Sequence, residues 1–210
     1  LTAIACQSLL RRAAADVGGV PEGLSQVVVG REDQSARLVS DERVAVVSAT
    51  GSTRMGRAVA QLTAPRFART ILELGGNNAL IAAPSADLDL ALRAIVFSAV
   101  GTAGQRCTSL RRLIVHESIY DDLLARLTAT YAKLPIGNPL EPETLVGPLI
   151  DARAGDLMQA ALDAASTAGA RIHGGKRVVV GGCEAGCYFR PALVEMPADR
   201  AAGRRPACAR

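Results

Sequence analysis

Short apolar runs alternate with segments of helical periodicity along most of the 210-residue chain. Residues 1–17 carry apolar side chains at roughly helical spacing, and Gly18 and Gly19 end this first helix. Further helices are predicted over residues 32–39, 117–133 and 152–168, and two more begin near residues 51–56 and 84–87 and run to about 62 and 100. The apolar runs typical of buried strands are residues 26–29, 44–48, 68–74, 79–82, 112–115 and 177–180. This alternation favours an α/β chain with a parallel sheet and crossover helices.

The strand and helix pattern restarts after residue 73, and we place a boundary between two segments at residues 73–77. Residues 199–210 differ from both segments, because they lack periodicity and consist mostly of Ala, Arg, Gly and Pro. This stretch has two interpretations that its composition does not separate. It is a disordered tail, or truncation or a shifted reading frame near Ala198 replaced the genuine sequence.

Composition and charge narrow the classes of function. The formal net charge is +4, but four arginines in the last eleven residues account for most of the excess: Arg200, Arg204, Arg205 and Arg210. Aromatic residues make up 3% and Trp is absent, so platforms for stacking bases are scarce. We therefore predict no nucleic-acid partner. No apolar run approaches the roughly 20 residues of a membrane-spanning helix, so we also predict no membrane association.

The cysteines indicate a reducing environment. Their number is odd and their spacing fits no disulfide framework: Cys6, Cys107, Cys183, Cys187 and Cys208. Residues 1–10 lack the basic start of a secretory signal, so we predict a cytoplasmic chain. Cys6 lies in a helical pattern and is predicted to be part of the core. Cys183 and Cys187 have no second ligand pair at zinc-site spacing, so no metal site is predicted.

Cys107 differs from the other cysteines because it lies in a loop of small residues, Gly-Thr-Ala-Gly-Gln-Arg-Cys-Thr at 101–108. Glycines allow a ligand to approach the backbone, and Arg106 beside the thiol can stabilise a thiolate. A thiolate is a nucleophile that forms covalent intermediates. The alternative is that Cys107 is a small buried hydrophobe, as most cysteines are.

Glu73 ends an apolar strand within Leu-Glu-Leu-Gly-Gly-Asn-Asn, residues 72–78. We expect this carboxylate to be partly desolvated, which would raise its pKa and suit a general base near neutral pH. The alternative is a paired structural carboxylate.

Residues 51–56, Gly-Ser-Thr-Arg-Met-Gly, follow a strand and open a helix, so their amides can hold a phosphate group. The motif is neither GxGxxG nor a P-loop, and an ordinary turn between strand and helix is the alternative. His116 and His173 stand in no metal or Cys–His motif, so we expect both to be structural or solvated.

Together these motifs resemble the aldehyde dehydrogenase superfamily. Glu-Leu-Gly-Gly, Gly-Gln-Arg-Cys-Thr, Gly-Ser-Thr-x-x-Gly and Gly-Pro-Leu-Ile-Asp are all present in the family's order, and the resemblance covers residues 1–198. Glu-Leu-Gly-Gly-Asn-Asn-Ala, Gly-Thr-Ala-Gly-Gln-Arg-Cys-Thr and Arg-Arg-Leu-Ile-Val-His-Glu-Ser resemble its antiquitin branch, which oxidises α-aminoadipic semialdehyde in lysine degradation. The resemblance implies that residues 1–73 are the C-terminal part of a Rossmann-like NAD-binding domain. Residues 74–198 would then be part of the catalytic domain, and residues 199–210 an atypical tail.

The resemblance also implies the roles of individual residues. Cys107 would attack the aldehyde to give a thiohemiacetal, and water activated by Glu73 would hydrolyse the thioester left after hydride transfer. The cofactor would be NAD, with NADP not excluded, and its binding residues would be Gly51, Ser52, Thr53, Gly56 and Leu74. Arg106 and Thr108 would bind substrate, and the guanidinium of Arg106 suits an aldehyde with a remote carboxylate.

Members of this family extend beyond the matched motifs at both ends. The resemblance therefore implies an internal fragment of a homo-oligomeric parent enzyme, and we expect the fragment alone to be weak or inactive, because one oxyanion donor by itself is worth ~10²–10³ in rate. Two alternatives stay open: a non-catalytic remnant that binds a nucleotide or partner subunits, and a cysteine hydrolase that works without NAD.

Overall fold

The protein forms two compact units in a computed structural model whose described residues are 1–196. Unit 1 comprises Leu1–Thr50 and Arg54–Glu73, and unit 2 comprises Gly51–Thr53 and, among the described residues, 74–196. Each contains a pair of parallel strands joined through a helix, so the predicted α/β class is confirmed. The atypical stretch at residues 199–210 lies outside the described residues.

Unit 1 is built around one parallel strand pair. Its elements are α1 (Thr2–Val17), α2 (Glu32–Ser40), β1 (Val46–Thr50), α3 (Thr53–Thr63) and β2 (Arg69–Glu73). In the pair, Val46 lies opposite Arg69 and Thr50 lies opposite Glu73, so the carboxyl ends of β1 and β2 meet at one edge. The buried apolar side chains of the unit include Val47 of β1 and Val59 of α3.

The strand predicted over residues 26–29 is absent. No strand in the described part of unit 1 pairs with these residues, and the side chain of Val29 is 75% exposed. An apolar run becomes a strand only where a neighbouring strand satisfies its backbone donors and acceptors. The position of β1 was predicted two residues too early for the same reason, because its pairing with β2 sets its ends. The prediction that Cys6 is part of the core is also wrong, since this cysteine is exposed.

Unit 2 repeats the strand–helix–strand plan and then adds further layers. Its first elements are β3 (Asn78–Ala82), α4 (Leu88–Val100), β4 (Leu110–Val115), α5 (Glu117–Lys133) and α6 (Ala152–Thr167). Strands β3 and β4 are parallel, with Asn78 opposite Leu110 and a register irregularity between Asn78 and Ala79. The side chain of Asp87 caps α4 by accepting hydrogen bonds from the amides of Asp89 and Leu90.

The main core of the described residues packs α4 and α5 against the parallel pair of unit 2. Ile95 of α4 is 1% exposed and Leu123 of α5 is 0% exposed, and Leu127 and Val146 are buried with them. The predicted bounds of α5 are confirmed, and its buried residues Leu123, Leu127 and Tyr131 recur at helical spacing. The core fixes the position of β3 and β4, and therefore of the loops that enter them.

Short antiparallel strands follow α6 and were largely missed by the sequence pattern. They are β5 (Arg171–Gly174), β6 (Arg177–Val178), β7 (Tyr188–Phe189) and β8 (Ala192–Glu195), and they pair as β5 with β8 and β6 with β7. The strand predicted over residues 177–180 is reduced to its first two residues. Strands of two to four residues are too short for an alternating pattern to stand out from their neighbours.

Candidate catalytic site

Cys107 lies at the amino edge of the parallel pair in unit 2, in the turn that leads into β4. It follows α4 and a 3-10 turn at Gly101–Gly104. Within that turn Thr102 has φ 56° and Ala103 has φ 52°, both in the left-handed region, and Gly104 continues at φ 72°. A β-branched residue such as Thr rarely adopts this conformation, so the approach to the cysteine is a strained segment.

Hydrogen bonds fix the backbone around Cys107 while its thiol remains exposed. The side-chain amide of Asn78 donates from Nδ2 to the carbonyl oxygen of Cys107 (2.7 Å) and to that of Ser109 (2.9 Å). Ser109 is 1% exposed, and its Oγ accepts a hydrogen bond from the amide of Arg106 at 3.1 Å. The turn is therefore held from both sides, which gives a nucleophile a defined position.

Gly76 stands close to the same turn. A Cβ atom at this residue would lie 3.0 Å from the carbonyl oxygen of Cys107 and 2.7 Å from Oδ1 of Asn78. The first distance is tighter than ordinary carbon–oxygen contacts and the second is a clash, so only glycine fits without movement. Gly76, the second glycine after Glu73, therefore serves close packing against the cysteine turn.

Gln105 ties the cysteine loop to the loop of the Gly-Pro-Leu-Ile-Asp motif. Its Nε2 donates to the carbonyl oxygens of Thr102 (3.1 Å) and Pro148 (3.3 Å), and its Oε1 accepts from the amide of Ile150 (2.9 Å). A cavity of about 290 Å³ lies beside this contact, and its lining includes Thr102, Gln105 and Pro148. Two motifs that are distant in sequence therefore form one local structure.

The sequence pattern had pointed to no role for four residues of this site: Gly76, Asn78, Gln105 and Ser109. A polar Asn at the start of an apolar strand was the available signal for Asn78, because a buried amide there must find partners. Nothing in the spacing pointed to Ser109, whose burial depends on the packing of the completed turn. Arg106 and Thr108, predicted to bind substrate, flank Cys107 in this turn and are exposed.

Glu73 and the residues predicted to bind the cofactor lie at the carboxyl edge of β1 and β2. Glu73 is the last residue of β2 and pairs in register with Thr50, the last residue of β1. Gly51 and Ser52 follow Thr50 directly, Leu74 follows Glu73, and α3 begins at Thr53. Ligands of open α/β sheets bind at carboxyl ends of this kind.

The expectation that Glu73 is partly desolvated is wrong. Its side chain is exposed, as are most residues of β2, because it ends a strand at the edge of the pair and no packed layer covers it. A base role for Glu73 therefore depends on its placement near water and not on burial.

The start of α3 fits the pyrophosphate of a dinucleotide. The helix has 11 residues and no acidic residue in its first turn, and Arg54 and Arg57 both lie near its start. The first turn of a helix carries the positive end of the helix dipole, which favours an anion. Gly56 is buried in the helix, so it also allows close packing of this first turn.

The two histidines have structural partners. His116 precedes α5 and its Nδ1 accepts a hydrogen bond from the amide of Ser118 at 3.2 Å. His173 Nε2 lies 2.6 Å from Oε1 of Glu195, and the hydroxyl of Tyr120 donates to Oε2 of the same carboxylate at 3.0 Å. These contacts hold the pKa of Glu195 below its usual range, with His173 the larger cause, whereas burial raises the pKa of Tyr120.

Over residues 1–196, none of the helices combines the length and apolar character needed to cross a membrane. The same stretch contains no group of three or more His, Cys, Asp or Glu side chains arranged to hold a metal ion.

Comparison with known proteins identifies the family. The model of the aldehyde dehydrogenase family matches residues 1–205. A relative from Pisum sativum, aldehyde dehydrogenase family 7 member A1, is 43% identical over 87% of this chain and 35% of its own length. The α-aminoadipic semialdehyde dehydrogenase of Rattus norvegicus is 42% identical over 83% of this chain and 32% of its own length. The chain therefore spans about a third of the length of these relatives.

A solved structure agrees with these matches. Succinate-semialdehyde dehydrogenase from Burkholderia pseudomallei superposes with a TM-score of 0.77 and 33% identity, over 86% of this chain and 37% of that protein. The proteins of this family use NAD or NADP. With an exposed cysteine held at a strand edge, the family's motifs in order and a match along nearly all of its length, this chain belongs to the aldehyde dehydrogenase family.

Proposed function

We propose that this chain supplies the nucleophile, the base and part of the cofactor site for NAD(P)-dependent oxidation of an aldehyde to a carboxylic acid. The observation that carries the proposal is the turn at Cys107, in which the backbone is fixed by Asn78 and Ser109 and the thiol is exposed. A thiol that is accessible on a rigid backbone suits attack on a small electrophile.

The first step is covalent. The thiolate of Cys107 adds to the carbonyl carbon, and the resulting oxyanion of the tetrahedral thiohemiacetal is stabilised by backbone donors, among them the amide of Cys107. A nicotinamide dinucleotide, when bound, would supply the acceptor for the hydride that this carbon must lose.

The second step is hydrolysis. The thioester on Cys107 is attacked by water, from which Glu73 removes a proton, and the acid and the free thiol are released. The exposed position of Glu73 at the end of β2 supports access to that water. Gly51, Ser52, Thr53 and Gly56 would hold the pyrophosphate, and Leu74 would line the site of the nicotinamide.

We propose α-aminoadipic semialdehyde as the substrate, from the resemblance to the antiquitin branch and the name of the rat relative. This aldehyde has a remote carboxylate, as does the substrate named for the Burkholderia enzyme. Arg106 offers a guanidinium that matches a carboxylate in geometry and charge, and Thr108 on the other side of Cys107 offers a hydroxyl. The choice between NAD and NADP stays open.

The setting of the enzyme is also a proposal. We infer a cytoplasmic homo-oligomer that contacts neither nucleic acid nor membrane, with lysine degradation as the pathway. Among the described residues the cysteines are free thiols, which a reducing compartment maintains. The mass of the protein in solution, from light scattering, tests the oligomer.

The experiment that tests the proposed function is the formation of reduced nicotinamide by the 210-residue chain with α-aminoadipic semialdehyde and either NAD or NADP. Two variants accompany the unchanged chain: Cys107→Ala, and Cys6→Ala as a control at another exposed cysteine. We expect any turnover to disappear in the first variant and to persist in the second. Turnover that survives Cys107→Ala would overturn the proposal, and hydrolysis of a thioester or ester substrate without either dinucleotide would favour a cysteine hydrolase.

A further inference from the structure

The guanidinium of Arg106 is held in place by two neighbours. Its Nε donates a hydrogen bond to Oγ1 of Thr102 at 2.8 Å, and its carbon atom Cζ lies 5.5 Å from the centre of the Phe97 ring. Within residues 1–196, its two terminal nitrogens, Nη1 and Nη2, make no hydrogen bond. The stem of the side chain is therefore positioned, and the fork that binds carboxylates is available.

The backbone of Thr102 is strained in a way that serves this contact. Its φ of 56° is unusual for a β-branched residue, so other contacts must hold it there. The carbonyl oxygen of Thr102 accepts hydrogen bonds from the amide of Gln105 (3.0 Å) and from Nε2 of the same residue (3.1 Å). Strain that is maintained next to a reactive group points to a role for the side chain it presents.

Two further arginines bond to backbone carbonyl oxygens near the turn. Arg111 donates from Nη2 to the carbonyl oxygen of Gly104 at 2.9 Å, and Arg112 donates to that of Asn77 at 2.9 Å and 3.2 Å. In the described part of the chain, neither of these residues nor Arg106 forms an ion pair with a carboxylate. The positive charge of Arg106 is therefore not neutralised by a carboxylate partner among the described residues.

We propose that Thr102 and Phe97 are positioning residues that aim the free fork of Arg106 at the carboxylate of the substrate. The inference rests on the proposed function in one respect, the carboxylate-bearing class of aldehyde. The Thr102 hydroxyl fixes the direction of the fork through Nε, and the Phe97 ring supports the face of the guanidinium. Loss of either contact leaves the charge but releases the side chain to many rotamers.

The test uses the alkylation of Cys107 in the 210-residue chain by two matched probes, 3-maleimidopropionate and N-ethylmaleimide. In both reactions the sulfur adds to the maleimide double bond and the proton ends on the neighbouring carbon. The two differ in the remote carboxylate, so the ratio of their rates reports on a guanidinium held near the thiol. Mass spectrometry of the cysteine peptides separates Cys107 from Cys6, whose ratio serves as an internal reference.

The expected results form a series. Arg106→Gln should lower the ratio of the 3-maleimidopropionate rate to the N-ethylmaleimide rate at Cys107 by about tenfold, because it removes a charge-assisted contact. Thr102→Val should lower the same ratio by about threefold, because the contact remains but loses its orientation. Phe97→Leu should lower it by about twofold. Thr102→Ser, which keeps the hydroxyl, should preserve the ratio, and so should the control Thr167→Val, which removes a hydroxyl that bonds only within α6.

Three other outcomes would contradict the inference or part of it. If Arg106→Gln lowers the ratio and Thr102→Val does not, the positioning role fails while Arg106 keeps its proposed role in substrate binding. A Thr102→Val chain that reacts more slowly with both probes to the same degree shows a structural role only, which also overturns the inference. If the unchanged chain shows no preference for the carboxylate probe over Cys6, the role of Arg106 fails and the inference fails with it.

Discussion

The two parallel strand pairs of the molecule share a plan but differ in how they are packed. In unit 2 the crossover helix α4 is covered by α5, and Ile95 and Leu123 are almost completely buried. In unit 1 the crossover helix α3 buries Val59, but Leu62 of the same helix is 39% exposed and Ile71 of β2 is 54% exposed. The same local pattern therefore gives the same elements in both units, whereas burial depends on which other elements cover them.

The residues with proposed catalytic roles also differ in their surroundings between the two units. The carboxyl edge of β1 and β2 presents Glu73 and the start of α3, both open to solvent. The amino edge of β3 and β4 presents Cys107 on a backbone that neighbouring side chains hold. We therefore expect substitutions at the first edge to alter chemistry without altering stability, and substitutions around the second to alter both.

Glu73→Gln should give the largest effect. Because the side chain is exposed, its replacement should change the free energy of unfolding by less than about 0.5 kcal/mol. Loss of a general base should slow hydrolysis of the thioester by ~10²–10⁴-fold. Mass spectrometry of the Cys107 peptide after incubation with aldehyde and NAD would show the acyl group accumulating. If Glu73→Gln lowers the free energy of unfolding but leaves the rate of thioester hydrolysis unchanged, the expected difference between the two edges is wrong.

A pair of leucines tests the difference in packing. Leu123→Ala removes a fully buried side chain from the core of unit 2 and should lower the free energy of unfolding by about 2–5 kcal/mol. Leu62→Ala on α3 should cost less than about 1 kcal/mol, since that side chain is already partly exposed. Urea unfolding followed by circular dichroism measures both. Equal losses would show that unit 1 is packed more tightly than its exposure indicates.

The adjacent glycines before β3 provide a matched pair at the cysteine turn. Gly76→Ala places a Cβ against Asn78 and the carbonyl oxygen of Cys107, so it should lower the free energy of unfolding by about 1–3 kcal/mol. Gly75→Ala meets no atom within 4 Å and should be nearly neutral. The same denaturation experiment compares them, and the rate at which N-ethylmaleimide labels Cys107 shows whether the turn has moved. Similar stabilities for the two variants would contradict the close approach at Gly76.

Two carboxylates, one in each unit, give the smallest effects. The pKa of Glu195 is lowered, chiefly by His173, and that of Asp41 is lowered by Arg43. A lowered folded pKa stabilises the protein above the unfolded pKa, and that stability is lost as pH falls through the folded value. Below about pH 4 the unfolding free energy of Glu195→Gln and of Asp41→Asn should therefore depend less on pH than that of the unchanged chain.

Salt distinguishes these two carboxylates. Asp41 and Arg43 form an ion pair in which the arginine side chain is 90% exposed, so added salt should weaken the Asp41 effect more than the Glu195 effect. Acid titrations at low and high ionic strength measure this difference. An Asp41 contribution that resists salt would show that the pair is shielded from solvent.

Much of the fold was predictable because its strongest signals are local. Periodicity predicted α1, α4 and α5, and the apolar runs predicted β2 and β3, each within one or two residues. The predictions that failed are those that depend on a neighbouring strand. Residues 26–29 have the composition of a strand but pair with no strand among the described residues, and β5 to β8 form through pairing between short segments. The composition of a segment shows whether it can form a strand, but not whether a second segment lies beside it to form the hydrogen bonds.

The site shows the same limit. Cys107 and Glu73 could be singled out because their residue types are unusual for their surroundings. The support from Asn78 and Ser109 could not, since it depends on a fold that brings the turn between α4 and β4 against the start of β3. The exposure of Glu73 was mispredicted because an apolar strand was assumed to be covered on the side of its last residue.

Asn78 has a consequence for how the nucleophile is placed. It is the first residue of β3, and its side chain holds the carbonyl oxygens of both Cys107 and Ser109. The position of the thiol therefore depends on the register between β3 and β4. A shift of one residue in that register displaces one strand along the other by about 3.3 Å. A displacement of that size exceeds the length of a hydrogen bond, so any packing change that shifts the two strands would also displace the sulfur. The register of β3 and β4 and the position of the Cys107 sulfur therefore change together.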